Sequence, residues 1–118
     1  MDRGLLGRHG EERALRWLRE RGYRIVARNY RWRGGEIDLI ARDGDSLAFI
    51  EVKTRADEEF GPPEEAITLE KRRRIIRAAK HYIAEHRPEL DLRFDVVAIV
   101  GDEIRLYKDA FRADDLEV

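Results

Sequence analysis

The 118-residue sequence predicts an α/β fold, a mixed central sheet flanked by two helices. Three observations predict it. Apolar residues recur at helical spacing over 8–21 and again over 68–85. Runs that alternate with period two fill the segments between and after them, giving the order α-β-β-β-α-β-β. Residues 36–53 hold an Asp-Gly break between two such runs, a strong hairpin signal. At this length one compact domain over 1–118 is expected.

The first helix is expected over Arg8–Arg21. Ala14, Leu15 and Leu18 form its apolar stripe, and Glu11 lies on that stripe. Glu12, Arg16 and Arg19 lie on the solvent side, and Gly22 fits a helix stop. Tyr23 to Arg33 reads as a strand, interrupted by Gly34-Gly35. The hairpin follows, then a loop at Phe60-Gly61-Pro62-Pro63. Thr68 can cap a second helix running to about Glu85, with Ile75, Ile76, Ala79, Tyr82 and Ile83 on its inner face. Arg87-Pro88 ends that helix. Leu92 to Val100 is a strongly apolar strand, Gly101-Asp102 a turn, and Ile104 to Tyr107 a last strand. An irregular acidic tail is expected over 108–118.

Composition excludes several classes. No apolar run approaches the roughly 18 residues needed to span a membrane, and Met1-Asp2-Arg3-Gly4 lacks the apolar stretch of a signal peptide. With no cysteine, disulfides and thiolate metal sites are excluded, and a cytoplasmic location is expected. Net charge is only −1, yet it is unevenly placed. Residues 1–33 carry ten arginines against four acids, a net of +6, whereas 102–118 carry six acids against three bases, a net of −3. A basic N-terminal half beside a local acid cluster suits a polyanion handled through a metal. The alternative is a salt-bridged surface on a heat-adapted protein.

The chemistry concentrates in Glu36-Ile37-Asp38-Leu39-Ile40 and Phe49-Ile50-Glu51-Val52-Lys53. Period two puts Glu36 and Asp38 on one face, and Glu51 and Lys53 on one face. If Gly44-Asp45 forms a two-residue loop, Asp43 pairs with Ser46, Asp38 stands opposite Glu51, and Glu36 opposite Lys53. Facing carboxylates repel unless a proton or a cation lies between them. Oxygen-only ligands suit a hard divalent ion, Mg²⁺ or Mn²⁺. Phosphodiester hydrolysis needs an activated water and relief of phosphate charge, which such an ion and a nearby lysine can supply. The plain alternative is a hairpin with an exposed polar face.

Asp38…Glu51-Val52-Lys53 resembles the PD-(D/E)xK signature of the restriction-endonuclease-like superfamily, and the α-β-β-β-α-β order is similar to its core. More closely, Gly10-Glu11…Ala14, Asn29-Tyr30-Arg31, Gly35-Glu36-Ile37-Asp38-Leu39-Ile40 and Phe49-Ile50-Glu51-Val52-Lys53-Thr54-Arg55 resemble the YraN family of bacterial endonuclease-like proteins. Phe60-Gly61, Lys71, Ala78-Ala79 and Phe94-Asp95-Val96-Val97 extend the resemblance over roughly residues 4–100. That family is itself compared with archaeal Holliday-junction resolvases. The resemblance implies Asp38 and Glu51 as metal ligands, Lys53 as the catalytic lysine, and Glu11 as the helix glutamate that completes such sites. Glu36 lies outside the superfamily's minimal pattern; a second ion or an ion pair with Lys53 would account for it.

The function this implies is a metal-dependent endonuclease hydrolysing phosphodiester bonds in DNA, with branched or damaged DNA as candidate substrates. The alternatives are a non-catalytic nucleic-acid-binding module of the same fold and an interaction protein with a structural ion. Arg28, Arg31, Arg33, Arg55, Lys71, Arg72, Arg73 and Arg74 are the candidate nucleic-acid contacts, and a solvated helix face is the plain reading of the last three. Tyr30-Arg31-Trp32-Arg33 interleaves aromatics with arginines, as nucleic-acid surfaces do; core burial of either aromatic is the alternative. Asp95 could buttress the site or an arginine. His9, His81 and His86 read as surface residues without ligand spacing. Resolvase-like relatives imply a homodimer.

Overall fold

A computed structural model of the chain describes residues 3–55 and 67–113, with side chains in the first helix from His9 onward. The elements are α1 (Arg3–Glu20), β1 (Arg24–Trp32), β2 (Gly35–Asp43), β3 (Ser46–Arg55), α2 (Leu69–His86), β4 (Asp91–Val100) and β5 (Glu103–Phe111). The five strands form one sheet in the order β1-β2-β3-β4-β5. β3 and β4 pair in parallel, and the other neighbours are antiparallel. A parallel pair needs a crossover, and α2 lies within the one that joins β3 to β4.

The two helices cover opposite faces of the sheet, each closing its own apolar cluster. Ile75, Ile76, Ala78, Ala79 and Tyr82 of α2 pack with Ile37, Ile40, Leu47, Phe49, Phe94 and Val96. Ala14, Leu15 and Leu18 of α1 pack with Leu39, Ala41, Ala48, Ile50, Val97 and Ile99. β3 alternates between the clusters residue by residue, which is why a central strand reads as one apolar run. Fully buried side chains such as Phe49 and Ile50 stabilise the fold by about 1.5–3 kcal/mol each. The site-bearing strand is therefore held from both sides. No helix among the described residues is long and apolar enough to cross a membrane.

Both ends of α2 and the first two hairpin turns follow from local chemistry. The Thr68 hydroxyl accepts from the Lys71 backbone N–H at 3.1 Å, capping α2. Arg87 closes that helix in the left-handed region with φ 44°, and its N–H donates to the Ile83 carbonyl at 2.8 Å. Arg33 and Gly34 make the first hairpin turn with φ of 44° and 79°, the positive values that a primed two-residue turn demands. At the second turn Asp43 pairs with Ser46, as the Asp-Gly signal predicts.

Three expectations are corrected. α1 begins at Arg3 rather than Arg8, because an apolar stripe does not mark a helix's first residue. β5 runs to Phe111 rather than Tyr107, so residues 108–111 belong to a strand and not to an irregular tail. Lys108-Asp109 looks like a strand end, but Asp109 turns through φ 55° and its N–H donates to the Asp95 carboxylate at 2.9 Å. The strand resumes and Phe111 stacks on Phe94, ring centroids 4.9 Å apart. His81 is half-buried in an aromatic stack rather than free on the surface. The loop expected at Phe60–Pro63 and the last acidic residues lie outside the described residues.

Candidate active site

The site begins where a strand breaks its alternation. In β1, Asn29 has φ 49°, a left-handed value that asparagine tolerates better than most residues. The β1–β2 ladder pairs Arg28 with Leu39 and Tyr30 with Ile37, skipping Asn29 and Asp38 between them. The β2–β3 ladder ends at Leu39 and Ile50. Beyond that point an Asp38 side-chain oxygen accepts the Val52 backbone N–H at 2.8 Å. A side chain thus takes a bond that a strand backbone would otherwise accept, and β2 parts from β3. Ile37 and Ile40 consequently face the same cluster, while Leu39 faces the other. Asp38 reaches toward β3, and both it and Glu36 lie within the electrostatic range of Glu11 on α1 and Lys71 on α2.

Asp38 and Glu51 do come together, as the hairpin register predicts. Glu51 is only 4% exposed and hydrogen-bonds to Asp38. Two carboxyl groups in this contact must share a proton or a cation. Burial first, and the charge of Glu51 second, push the Asp38 carboxyl up to about 7, against the lowering effect of the Val52 N–H. The cation is Lys71, from the first turn of α2. Its ammonium lies 2.5 Å from Glu51 Oε1. Burial works against that charge, but the hydrogen bond and charge of Glu51 outweigh it, and Lys71 is held above its ordinary range.

Glu11 approaches from α1. Burial first and the charge of Asp38 second raise its carboxyl, and the Asn29 amide works in the opposite direction. With its nitrogen turned toward Glu11, that amide donates to both carboxylate oxygens at 3.2 and 3.3 Å. Asn29 therefore both breaks the strand and orients a site acid. Glu36 pairs with Arg31 at 3.3 Å, and not with Lys53. Lys53 is half-buried and points to the same face as Glu51, since the intervening Val52 packs on the α1 cluster.

Two glycines set how closely the helices approach. A Cβ on Gly10 would lie 2.3 Å from Thr54 Oγ1, and one on Gly35 would lie 2.5 Å from the Arg74 carbonyl oxygen. The first lets α1 settle on β3 at Thr54, with the next residue, Glu11, turned to Asn29 and Asp38. The second lets α2 bring Lys71 over Glu51. The Gly-Glu pairs at 10–11 and 35–36 are thus each a close-approach point followed by a site carboxylate.

Residues 10–99 match the uncharacterised protein family UPF0102. The chain belongs to that family. It is 51% identical over 109 residues to a UPF0102 protein of Dechloromonas aromatica, covering 92% of this chain and 90% of the relative. Identity to a UPF0102 protein of Lachnoclostridium phytofermentans is 50% over 115 residues, covering 96% and 98%. A third UPF0102 protein, from Nocardia farcinica, is 54% identical over 100 residues, covering 84% and 79%. The UPF0102 match runs from Gly10 to Ile99 and so encloses every site residue named above, including Lys71. The YraN-like resemblance is met at this level.

The other expected contacts divide. Arg28 pairs with Glu12, Arg74 with Glu70 at 3.0 Å, and Arg72 Nε donates to the Ile67 carbonyl at 3.1 Å. Arg31, Arg33 and Arg73 are exposed and Arg55 is half-buried. Lys71, expected on nucleic acid, is committed to Glu51. Asp95 belongs to an arginine and not to the site: Arg93 Nε lies 2.9 Å from it, and Arg93 also reaches Asp43 at 2.8 Å, at the other end of β2. Among the described residues no three His, Cys, Asp or Glu side chains form a ready metal cluster. The donor chemistry still fits a hard cation, because Asp38 and Glu51 are carboxylate oxygens in mutual contact and an ammonium already neutralises one of them.

Proposed function

We propose that this chain is a metal-dependent endonuclease with a restriction-endonuclease-like core, hydrolysing phosphodiester bonds in DNA. One observation carries the reading: two carboxyl groups from adjacent strands, Asp38 and Glu51, meet with a cation at Glu51, and Lys53 follows one strand period on. Asp38 and Glu51 would hold Mg²⁺ or Mn²⁺, and Glu11 on α1, which feels the charge of Asp38, would be the third ligand once drawn in by the ion. A bound divalent ion supplies charge neutralisation on the phosphate and activation of water. Lys53 stabilises the charge that develops on the phosphoryl oxygens. Asn29 fixes Glu11, and Val52 N–H fixes Asp38, so both ligands are oriented before an ion arrives. Lys71 holds Glu51 until then.

A second reading has its own observation. Because Lys71 already neutralises Glu51, the same architecture could serve as a non-catalytic nucleic-acid-binding module. Incubation with duplex, single-stranded and four-way-junction DNA, each with Mg²⁺, Mn²⁺ or EDTA, separates the two. Cleavage that depends on the ion supports the enzyme. Tight, salt-sensitive binding without cleavage across the whole panel rejects the enzyme in favour of the module.

A further inference from the structure

Trp32 closes β1 at its turn and belongs to neither apolar cluster. Its ring lies 4.4 Å from the His81 imidazole, with the planes 11° apart, a parallel stack between a strand end and α2. The Arg33 guanidinium carbon lies 4.9 Å from the centre of the same indole. Tyr30 is used differently: it packs edge-on to Tyr82 at 5.3 Å and its hydroxyl donates to Glu85 at 2.8 Å, so it anchors the core. His81 is steadied by Glu85, 3.0 Å from its Nε2. Arg77 ties the turn to α2 by donating to the Arg33 carbonyl at 3.4 Å. An aromatic pair capped by an exposed cation is therefore held in a fixed place between β1 and α2.

We propose that Trp32, with Arg33 and His81, is a stacking platform for a base of single-stranded nucleic acid next to the candidate active site. The inference rests on the proposed function for its substrate class and adds a required substrate feature, an unpaired stretch. Base-on-aromatic stacking combined with arginine is the usual way to hold a single strand without reading sequence. Guanidinium is a reasonable stand-in for a base here, since both lie flat on an indole. Displaced by a base, Arg33 remains beside the phosphate. α2 connects the platform to the site: from Lys71 to His81 is about 15 Å at ~1.5 Å per residue. Arg77 and Arg74 lie on the stretch of α2 between them.

The test is binding in EDTA, where cleavage cannot contribute. In a Trp17→Phe background, Trp32 is the only tryptophan and reports directly. The probes are an oligothymidylate of about ten nucleotides and an abasic oligomer of equal length and charge. The oligothymidylate should quench Trp32 emission and the abasic oligomer should not. Trp32→Ala should weaken oligothymidylate binding roughly five-fold or more and leave abasic binding unchanged, while Trp32→Phe keeps most of the affinity. Equal losses on both probes, or no base-dependent quench, would overturn the platform. Base-dependent binding without cleavage under any metal would leave the platform and remove the enzyme reading. Metal-dependent cleavage with base-blind binding would do the reverse.

Discussion

The ammonium of Lys71 lies 2.5 Å from a carboxylate oxygen of Glu51, a residue whose side chain is almost sealed from water. Helix α2 thus brings its own cation to the strand carboxylates. Lys71 and a divalent ion would compete for the same oxygen. Lys71→Met should then bind Mn²⁺ more tightly than the parent, as measured by calorimetry. Without metal, the variant should lose about 1–3 kcal/mol in urea unfolding, below the cost of breaking a fully buried pair because the ammonium is half-exposed. Added Mn²⁺ should restore the loss by mass action. Unchanged Mn²⁺ affinity would place the ion away from Glu51.

Asp38 makes stability depend on pH. Its folded carboxyl titrates at about 7, against an ordinary value of 3.8. The folded state therefore binds the proton more tightly than the unfolded state. Its contribution is fully present below about 4 and is lost as pH rises to about 7. In EDTA, urea midpoints should fall over that window. Asp38→Asn keeps the shape and removes the titration, so its midpoints should change less. Equal slopes in the two proteins would count against the shared proton.

Gly35 tests the helix approach. A glycine replaced in a strand interior ordinarily gains stability. Here a Cβ would meet the Arg74 carbonyl oxygen at 2.5 Å and the Ala78 Cβ at 3.1 Å. Gly35→Ala should therefore destabilise by about 1–3 kcal/mol, the typical cost of overpacking. Thermal unfolding measures it, and a gain in stability would mean that α2 does not press on β2.

Much of the site was legible in the sequence because it depends on short-range rules. Asp-Gly fixed the β2–β3 register, and register brought Asp38 to Glu51. What was hidden depends on contacts between distant segments. Nothing near Lys71 in sequence says that its side chain ends on Glu51, and its crowd of arginine neighbours points to solvent instead. Asn29 offered a faint signal, an asparagine inside a strand, but period-two reasoning has no way to register the twist it introduces. Asp109 hid the end of β5 in the same manner. In each case one left-handed residue, stabilised by a partner elsewhere in the chain, overrides the local pattern.

Lys53 carries the chemistry in this account. Lys53→Ala should lower cleavage by on the order of 10²–10³ and leave DNA affinity nearly unchanged, because its charge acts as the transition state forms. Rates from single-turnover cleavage, alongside binding in EDTA, separate the two quantities. Parental rates in the variant would remove lysine from the mechanism.

The central claim is a divalent-ion site between Asp38 and Glu51. Calorimetric titration of Mn²⁺ into the parent, Asp38→Asn and Glu51→Gln tests it most directly. Each carboxylate supplies an oxygen that its amide replaces poorly, so both variants should bind Mn²⁺ more weakly than the parent while remaining folded. Parental affinity in both variants would contradict the account.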